Sequence, residues 1–255
     1  MSSAALERAD RFRIGRVLHD SFSVIRRNLV LCAGLGVVLY AVPRFALSIW
    51  YFQAIAGNEK IPLWAFFSEH VMLAIAGLLF YVGVIAILQT ALTRAGIVDM
   101  QGRTPTASDC LGVALALFFP VLLTSLVVTL AFMLGLFLLI VPGILLLLRW
   151  SVAVPVLIQE RLNILDSMAR SRDLTKGSRW ALLGLWLILI MGGTLVGLAV
   201  PRLFIALNFN FGLIVEALVK AAATVLSSVA AAVSYAELRQ VREGTCVEKL
   251  AEIFS

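Results

Sequence analysis

A chain of 255 residues that is 61% hydrophobic and 14% charged, with a mean hydropathy of +1.00, has too few polar side chains to cover a water-soluble globule. It reads as one all-α domain immersed in lipid, a polytopic helical bundle with no room for an added soluble catalytic domain of ordinary size. The net charge of +6 does not point to nucleic acid, because the basic residues flank apolar runs instead of forming a compact basic domain.

In chain order, residues 1–28 form a basic amino-terminal segment. Ile14, Val17, Leu18, Phe22 and Ile25 recur at helical spacing between Arg13, Arg16, Arg26 and Arg27, the pattern of an amphipathic helix. Such a face serves equally for lying in the headgroup plane and for packing under the bundle.

A spanning helix needs roughly 20 mostly apolar residues, and residues 29–238 hold six candidate runs: 29–56, 70–93, 110–140, 143–158, 180–200 and 211–238. The first is too long for a signal-peptide core and lacks a small-residue cleavage site, so it reads as a retained helix. Thr106 with Asp109 forms a capping box ahead of the third. The uncharged stretch from Cys110 to Leu148 is too long for one span, and Val141-Pro142-Gly143 is the expected turn of a helical hairpin whose second arm runs on to Gln159.

A second amphipathic segment, from Asn163 to Lys176, carries Ile164, Leu165, Met168 and Leu174 and is stopped by Gly177. Gly193 and Gly197 make a GxxxG packing face in the fifth span. Ala217, Ala221, Ala222, Ser228, Ala231 and Ala232 make the sixth thin enough to sit centrally. Gly34, Gly36 and Pro120 are expected places for bends. Residues 239–255 form a basic tail, with Thr245 and Glu248 as the capping box of a short helix bearing Val247, Leu250, Ile253 and Phe254.

Lysine and arginine orient the bundle. Arg8, Arg11, Arg13, Arg16, Arg26 and Arg27 precede the first span; Arg94 and Arg103 follow the second; Arg161, Arg170, Arg172, Lys176 and Arg179 follow the fourth; Arg239, Arg242 and Lys249 follow the sixth. Only Lys60 and Arg202 lie in the opposite connections. By the positive-inside rule both termini are cytoplasmic; this basic side, taken with the family resemblance below, makes a bacterial inner (cytoplasmic) membrane the expected location.

Chemistry-bearing residues are sparse. Cys32, Cys110 and Cys246 are scattered and form no CxxC, so neither a disulfide framework nor a metal site is expected. His19 and His70 fall near opposite ends of the spans, and no GxSxG, HExxH, phosphate loop or paired-acid motif occurs. Asp166 and Asp173 amid Arg170 and Arg172 are spaced for solvated ion pairs on a helix surface. The expectation is therefore a chain with no enzymatic activity and no cofactor.

The run IVPGILLLLRWSVAVPVLIQERLNILDSMARSRDLTKGSRW, with SYAELRQVREG near the end, the entry GRVLHDSFSVIRRN and the tail VEKLAEIF, resembles the membrane domain family named after glycerophosphoryl diester phosphodiesterases. The most specific parts are Pro142-Gly143, Pro155 to Glu160, Arg170-Ser171 to Lys176-Gly177, and Glu237-Leu238-Arg239. The resemblance implies a multi-helix membrane region, which in some members precedes a soluble phosphodiesterase domain. That domain's metal-binding carboxylates and histidines have no counterpart here, so no catalytic residue carries over.

Ionisable residues inside the spans remain to be explained, since an unpaired charge in hydrocarbon costs several kcal/mol. Counted from the expected turn, Arg149 lies about 9 Å into the fourth span at 1.5 Å per residue. Arg44, Glu216 and Lys220 fall in the same outer half. Arg44, Arg149, Glu216 and Lys220 therefore form the candidate intramembrane charge cluster, read either as structural ion pairing with snorkelling lysine and arginine or as a pocket for a lipid phosphate or carboxylate.

Two function classes follow. One is a noncatalytic module that organises or assists membrane or envelope components, with anionic lipid headgroups and a membrane protein as partners of its basic cytoplasmic face. The other is a binder or transporter of a lipid or small anion through the charge cluster.

Overall fold

The computed structural model describes residues 12–56, 63–138, 140–205 and 208–253, which form helices and, among the described residues, no strands. They comprise α1 (Ile14–Arg27), α2 (Leu29–Gly36), a π-helical turn (Val37–Ala41), α3 (Val42–Ala56), α4 (Leu63–Met100), α5 (Ala107–Ala116) and α6 (Phe118–Leu138), followed by α7 (Ile140–Arg149), α8 (Ala153–Glu160), α9 (Ile164–Thr175), α10 (Arg179–Ile205) and α11 (Phe209–Ile253). Among the described residues, six stretches are long and apolar enough to cross a membrane: Leu29–Ile49, Leu79–Met100, Phe118–Phe137, Gly143–Glu160, Arg179–Ile205 and Phe209–Gly244. The chain is a multi-pass helical membrane protein. Arg8, Arg11, Lys60 and Phe254 lie outside the described residues, as do the side chains of His70, Thr245, Cys246 and Glu248.

Prolines account for three of the breaks, because the ring removes an N–H and clashes with the carbonyl four residues earlier. Pro120 and Pro142 lie four residues after Ala116 and Leu138, the last residues of α5 and α6; Pro155 lies four after Ser151, in the gap between α7 and α8. The expected turn at Val141-Pro142-Gly143 is thus displaced. These residues belong to the first turn of α7, where a missing proline N–H is tolerated. The expected hairpin stands, closed by two glycines: a Cβ built on Gly143 would lie 2.7 Å from the backbone nitrogen of Leu136, and one on Gly135 would lie 2.7 Å from Gly143 Cα.

Pro43 is absorbed differently. The π turn immediately precedes it, and the Val42 N–H bonds to the carbonyl of Val37, five residues back; such turns are an established way for a helix to accommodate a disrupted ladder. The π turn, and neither Gly34 nor Gly36, is where the ladder departs from α-helical bonding. Gly36 instead marks a close approach, since a Cβ there would come 2.9 Å from Val225 of α11.

α11 runs through the middle of the bundle. Ala217, Ala221, Ser228 and Ala232 are buried, whereas Ala222 is exposed. A Cβ on Gly96 of α4 would meet Ala232 at 2.9 Å, so small residues set the distance between these helices. α11 continues unbroken to Ile253, so the separate tail helix expected to begin at Thr245 does not exist. Its cap is unnecessary because the preceding turns already supply the hydrogen-bond partners.

At one end α1, α9 and the later turns of α11 meet; this is the basic end, and the opposite one is called the far end below. Val17 and Val24 of α1 are buried with Leu182 and Leu185 of α10 and Val229, Val233 and Leu238 of α11. α1 thus packs under the bundle, leaving Phe22 and His19 exposed. α9 departs further from expectation. Its buried face is Ser167, Met168, Ser171, Leu174 and Thr175, while Leu165 is 76% exposed. Gly177, at φ +94°, ends this segment in the left-handed region that glycine adopts readily.

Candidate functional site

The break between α7 and α8 explains the buried hydroxyls of α9. A helix end buried without water needs other donors for its free carbonyls, and Ser171 Oγ donates to the Arg149 carbonyl at 2.9 Å, with Thr175 Oγ1 at 3.4 Å from the same oxygen. Ser171→Ala should destabilise the protein by about 1 kcal/mol, the cost of one under-satisfied buried carbonyl. A denaturation curve in detergent micelles that coincides with the wild type would refute this role for the hydroxyl.

This contact also corrects the expected depth of Arg149. α7 starts at Ile140, which puts Arg149 about 14 Å along the helix and against a basic-end helix instead of in the outer band. Among the described residues Arg149 makes no ion pair within 4.0 Å, and its Nε is buried without a hydrogen bond. It does not join the other three members of the candidate cluster.

Arg44, Glu216 and Lys220 do come together. Arg44 Nη2 donates to Glu216 Oε1 at 3.2 Å, and Lys220 Nζ donates to the same oxygen at 2.5 Å. The i,i+4 spacing on α11 places Lys220 beside Glu216, while Arg44 reaches over from α3 just beyond the π turn.

Glu216 and Lys220 line a groove of about 560 Å³ between α10 and α11, open along one side. Its volume lies in the range of ligand sites. Arg202, expected only to mark a connection, lines it too, and the apolar wall includes Leu189, Ile190, Leu198 and Ile205. No ion pair of Arg202 occurs among the described residues. Arg44, Lys220 and Arg202 set against Glu216 give three cations to one carboxylate, a surplus of two. α10 runs toward the far end and α11 away from it. Because Cβ bonds tilt toward a helix's N-terminus, Arg202 leans inward along the groove and Lys220 leans outward.

Spacing on a single helix did not reveal the groove, because its two walls come from separate spans. The available signals were Gly193 and Gly197. Gly193 packs toward Ala223, with 3.6 Å to a built Cβ, but a Cβ on Gly197 would meet nothing within 4 Å. Both glycines line the groove, and Gly197 fronts its open space.

A second set of charges knots the basic end. Arg170 Nε bonds to Glu160 at 3.2 Å and Arg170 Nη2 to Glu243 at 2.6 Å. Tyr235 Oη donates to Glu160 at 3.0 Å, Arg239 Nε bonds to Glu243 at 2.8 Å, and Arg16 Nη1 bonds to Glu237 at 3.0 Å. Burial works against the charge of Arg170, but Glu160 and Glu243 outweigh it and hold the guanidinium above its ordinary pKa. The expected pairing of Arg170 with Asp166 and Asp173 is replaced by this tertiary one; only Arg172 and Asp173 approach, at 3.8 Å and exposed.

Nearby, Asp99 accepts from Arg27 at 2.5 Å and from Asn28 at 2.7 Å, tying the α1–α2 junction to the end of α4. Thr106 Oγ1 accepts the Asp109 N–H at 3.4 Å, as a cap should, but the Asp109 carboxylate turns to Arg94 at 3.1 Å instead of completing the box. Cys32 and Cys110 are buried free thiols. No group of three or more metal-ligating side chains occurs among the described residues.

Comparison with family models, curated proteins and solved structures gives no match to this chain. Its geometry therefore carries the functional reading.

Proposed function

We propose that this chain is a noncatalytic membrane protein that binds an anionic group, a small anion or a lipid headgroup, in the groove between α10 and α11. The observation that carries the reading is the placing of Arg202 and Lys220 on one groove with a single carboxylate, Glu216, among three cations. A surplus of two positive charges in a low-dielectric setting is costly without an anion, and guanidinium and ammonium donors suit phosphate or carboxylate oxygens. By the arginine asymmetry, the groove faces the outer leaflet, and the proposed location is a bacterial inner membrane.

Native mass spectrometry of the protein extracted gently from its own membrane tests this. The wild type should carry a defined anionic adduct, and Arg202→Gln/Lys220→Gln, folded by circular dichroism, should lose it. An adduct retained in full by the double variant would refute the site.

A second reading is a module that organises envelope components through its cytoplasmic face, in keeping with the suggested family resemblance. Arg161, Arg172 and Lys176 are exposed there together with Trp180, which is 83% exposed, and Leu165, a combination suited to anionic headgroups at an interface. A co-purifying membrane protein retained by both wild type and double variant, with no anionic adduct on either, would favour this reading over the first.

A further inference from the structure

We infer that the ligand of the groove is a lipid phosphate monoester with one hydrocarbon chain, taken sideways from the bilayer. The inference rests on the reading of the groove as an anion site. Four observations carry it.

First, charge along the groove is one-sided. Arg202, Glu216 and Lys220 lie from its far end to its middle, whereas Trp186, Leu189 and Ile190, with Thr224 and Ser227, line the remainder. Trp186 and Arg202 are 16 residues apart on α10, or about 24 Å. That is more than half of a hydrocarbon core about 30 Å thick, so a chain lying there keeps its ordinary depth while its head meets the cations.

Second, α10 is the span least covered by protein. Only 6% of its most apolar window is buried, and Leu195, Leu198 and Leu203 are exposed. A groove along this helix opens toward lipid, so a hydrocarbon chain can enter it sideways.

Third, the seat is unfilled space. Gly197 lines the groove, and a Cβ there would meet no atom within 4 Å. A volume of about 560 Å³ takes a small head and one chain in place of the two chains of an ordinary phospholipid.

Fourth, the charge count selects the head. Two cations remain after Glu216 is matched, and a phosphate monoester carries about −1.5 to −2 near pH 7. A phosphodiester carries one negative charge and would leave a cation unmatched.

Lysophosphatidate is the probe, titrated into the full-length protein in a neutral detergent and followed by native mass spectrometry, with inorganic phosphate as competitor. Two variants separate the requirements. Gly197→Leu fills the groove and keeps every charge; Arg202→Gln/Lys220→Gln empties it of surplus charge and keeps its shape. The wild type should bind one lysophosphatidate, each variant should bind at least tenfold more weakly, and a hundredfold excess of inorganic phosphate should not displace the lipid.

If Gly197→Leu binds like the wild type and inorganic phosphate competes, the chain-in-groove inference fails while the anion site stands. If the double charge variant binds like the wild type, both fail. Gly197→Ala adds one methyl to open space and serves if the leucine variant does not fold; weakening of at least twofold is expected from it, and unchanged binding counts against the inference.

Discussion

Glu216→Leu should lower the unfolding free energy by about 3 kcal/mol, because it removes the shared partner of two cations inside a membrane span. Arg44 and Lys220 bond to the same carboxylate oxygen, so one substitution leaves both unmatched, in a setting where each seeks a partner or a wet cavity. Removing the cations as well, in Arg44→Met/Glu216→Leu/Lys220→Met, should recover most of the loss, since apolar replacement of a whole buried ion cluster is often neutral. Denaturation by sodium dodecyl sulfate in mixed micelles, followed by circular dichroism, reads both effects. Equal instability of the single and triple variants would mean that packing, not charge, explains the loss.

The same variant separates structure from function. With Glu216 gone the surplus positive charge rises from two to three, so any Glu216→Leu protein that remains folded should hold a phosphate head more tightly than the wild type. Stability and affinity then move in opposite directions. A site serving only as a structural ion pair offers no reason for affinity to rise.

Gly143→Val should be the most disruptive single change in the α6–α7 hairpin. Overpacking a close contact costs about 1–3 kcal/mol even where side chains can move aside. Here the obstacle is backbone, the nitrogen of Leu136 at 2.7 Å from the first added carbon, so the two helices must separate. Gly192→Ala is the control: it sits in a helix with nothing within 4 Å of the new methyl, and alanine's helix propensity should leave the protein as stable or more stable by up to about 1 kcal/mol. Thermal unfolding in detergent distinguishes the two. Similar midpoints for both variants would contradict the close helix approach.

The residues that misled the sequence reading did so for identifiable reasons. Arg149 was placed by counting from Gly143 along an unbroken helix, but Pro142 acts on the carbonyl four residues earlier, at Leu138, so α7 begins sooner. Apolar spacing put Ile164, Leu165, Met168 and Leu174 on one face of α9, but the buried face joins Met168 and Leu174 to Ser171 and Thr175, which meet the carbonyl exposed by another helix break. No local pattern encodes that requirement. Arg202 was read only as a topology signal, because its partner in the groove, Lys220, lies on the opposite wall.

The sequence by itself determined that the chain is helical, lives in lipid and has six stretches able to span it. Those properties are local: in hydrocarbon each segment must satisfy its own backbone, and about 20 apolar residues suffice to cross. It also determined the proline positions and hence three of the helix breaks. Only the tertiary structure decided which charges meet, separating Arg149 from Arg44, Glu216 and Lys220 and joining Arg170 to Glu160 and Glu243. Such pairing depends on how each helix is rotated and how closely its neighbour approaches. Here these are set by glycines and alanines contributed by distant parts of the chain, such as Gly36 against Val225 and Gly96 against Ala232.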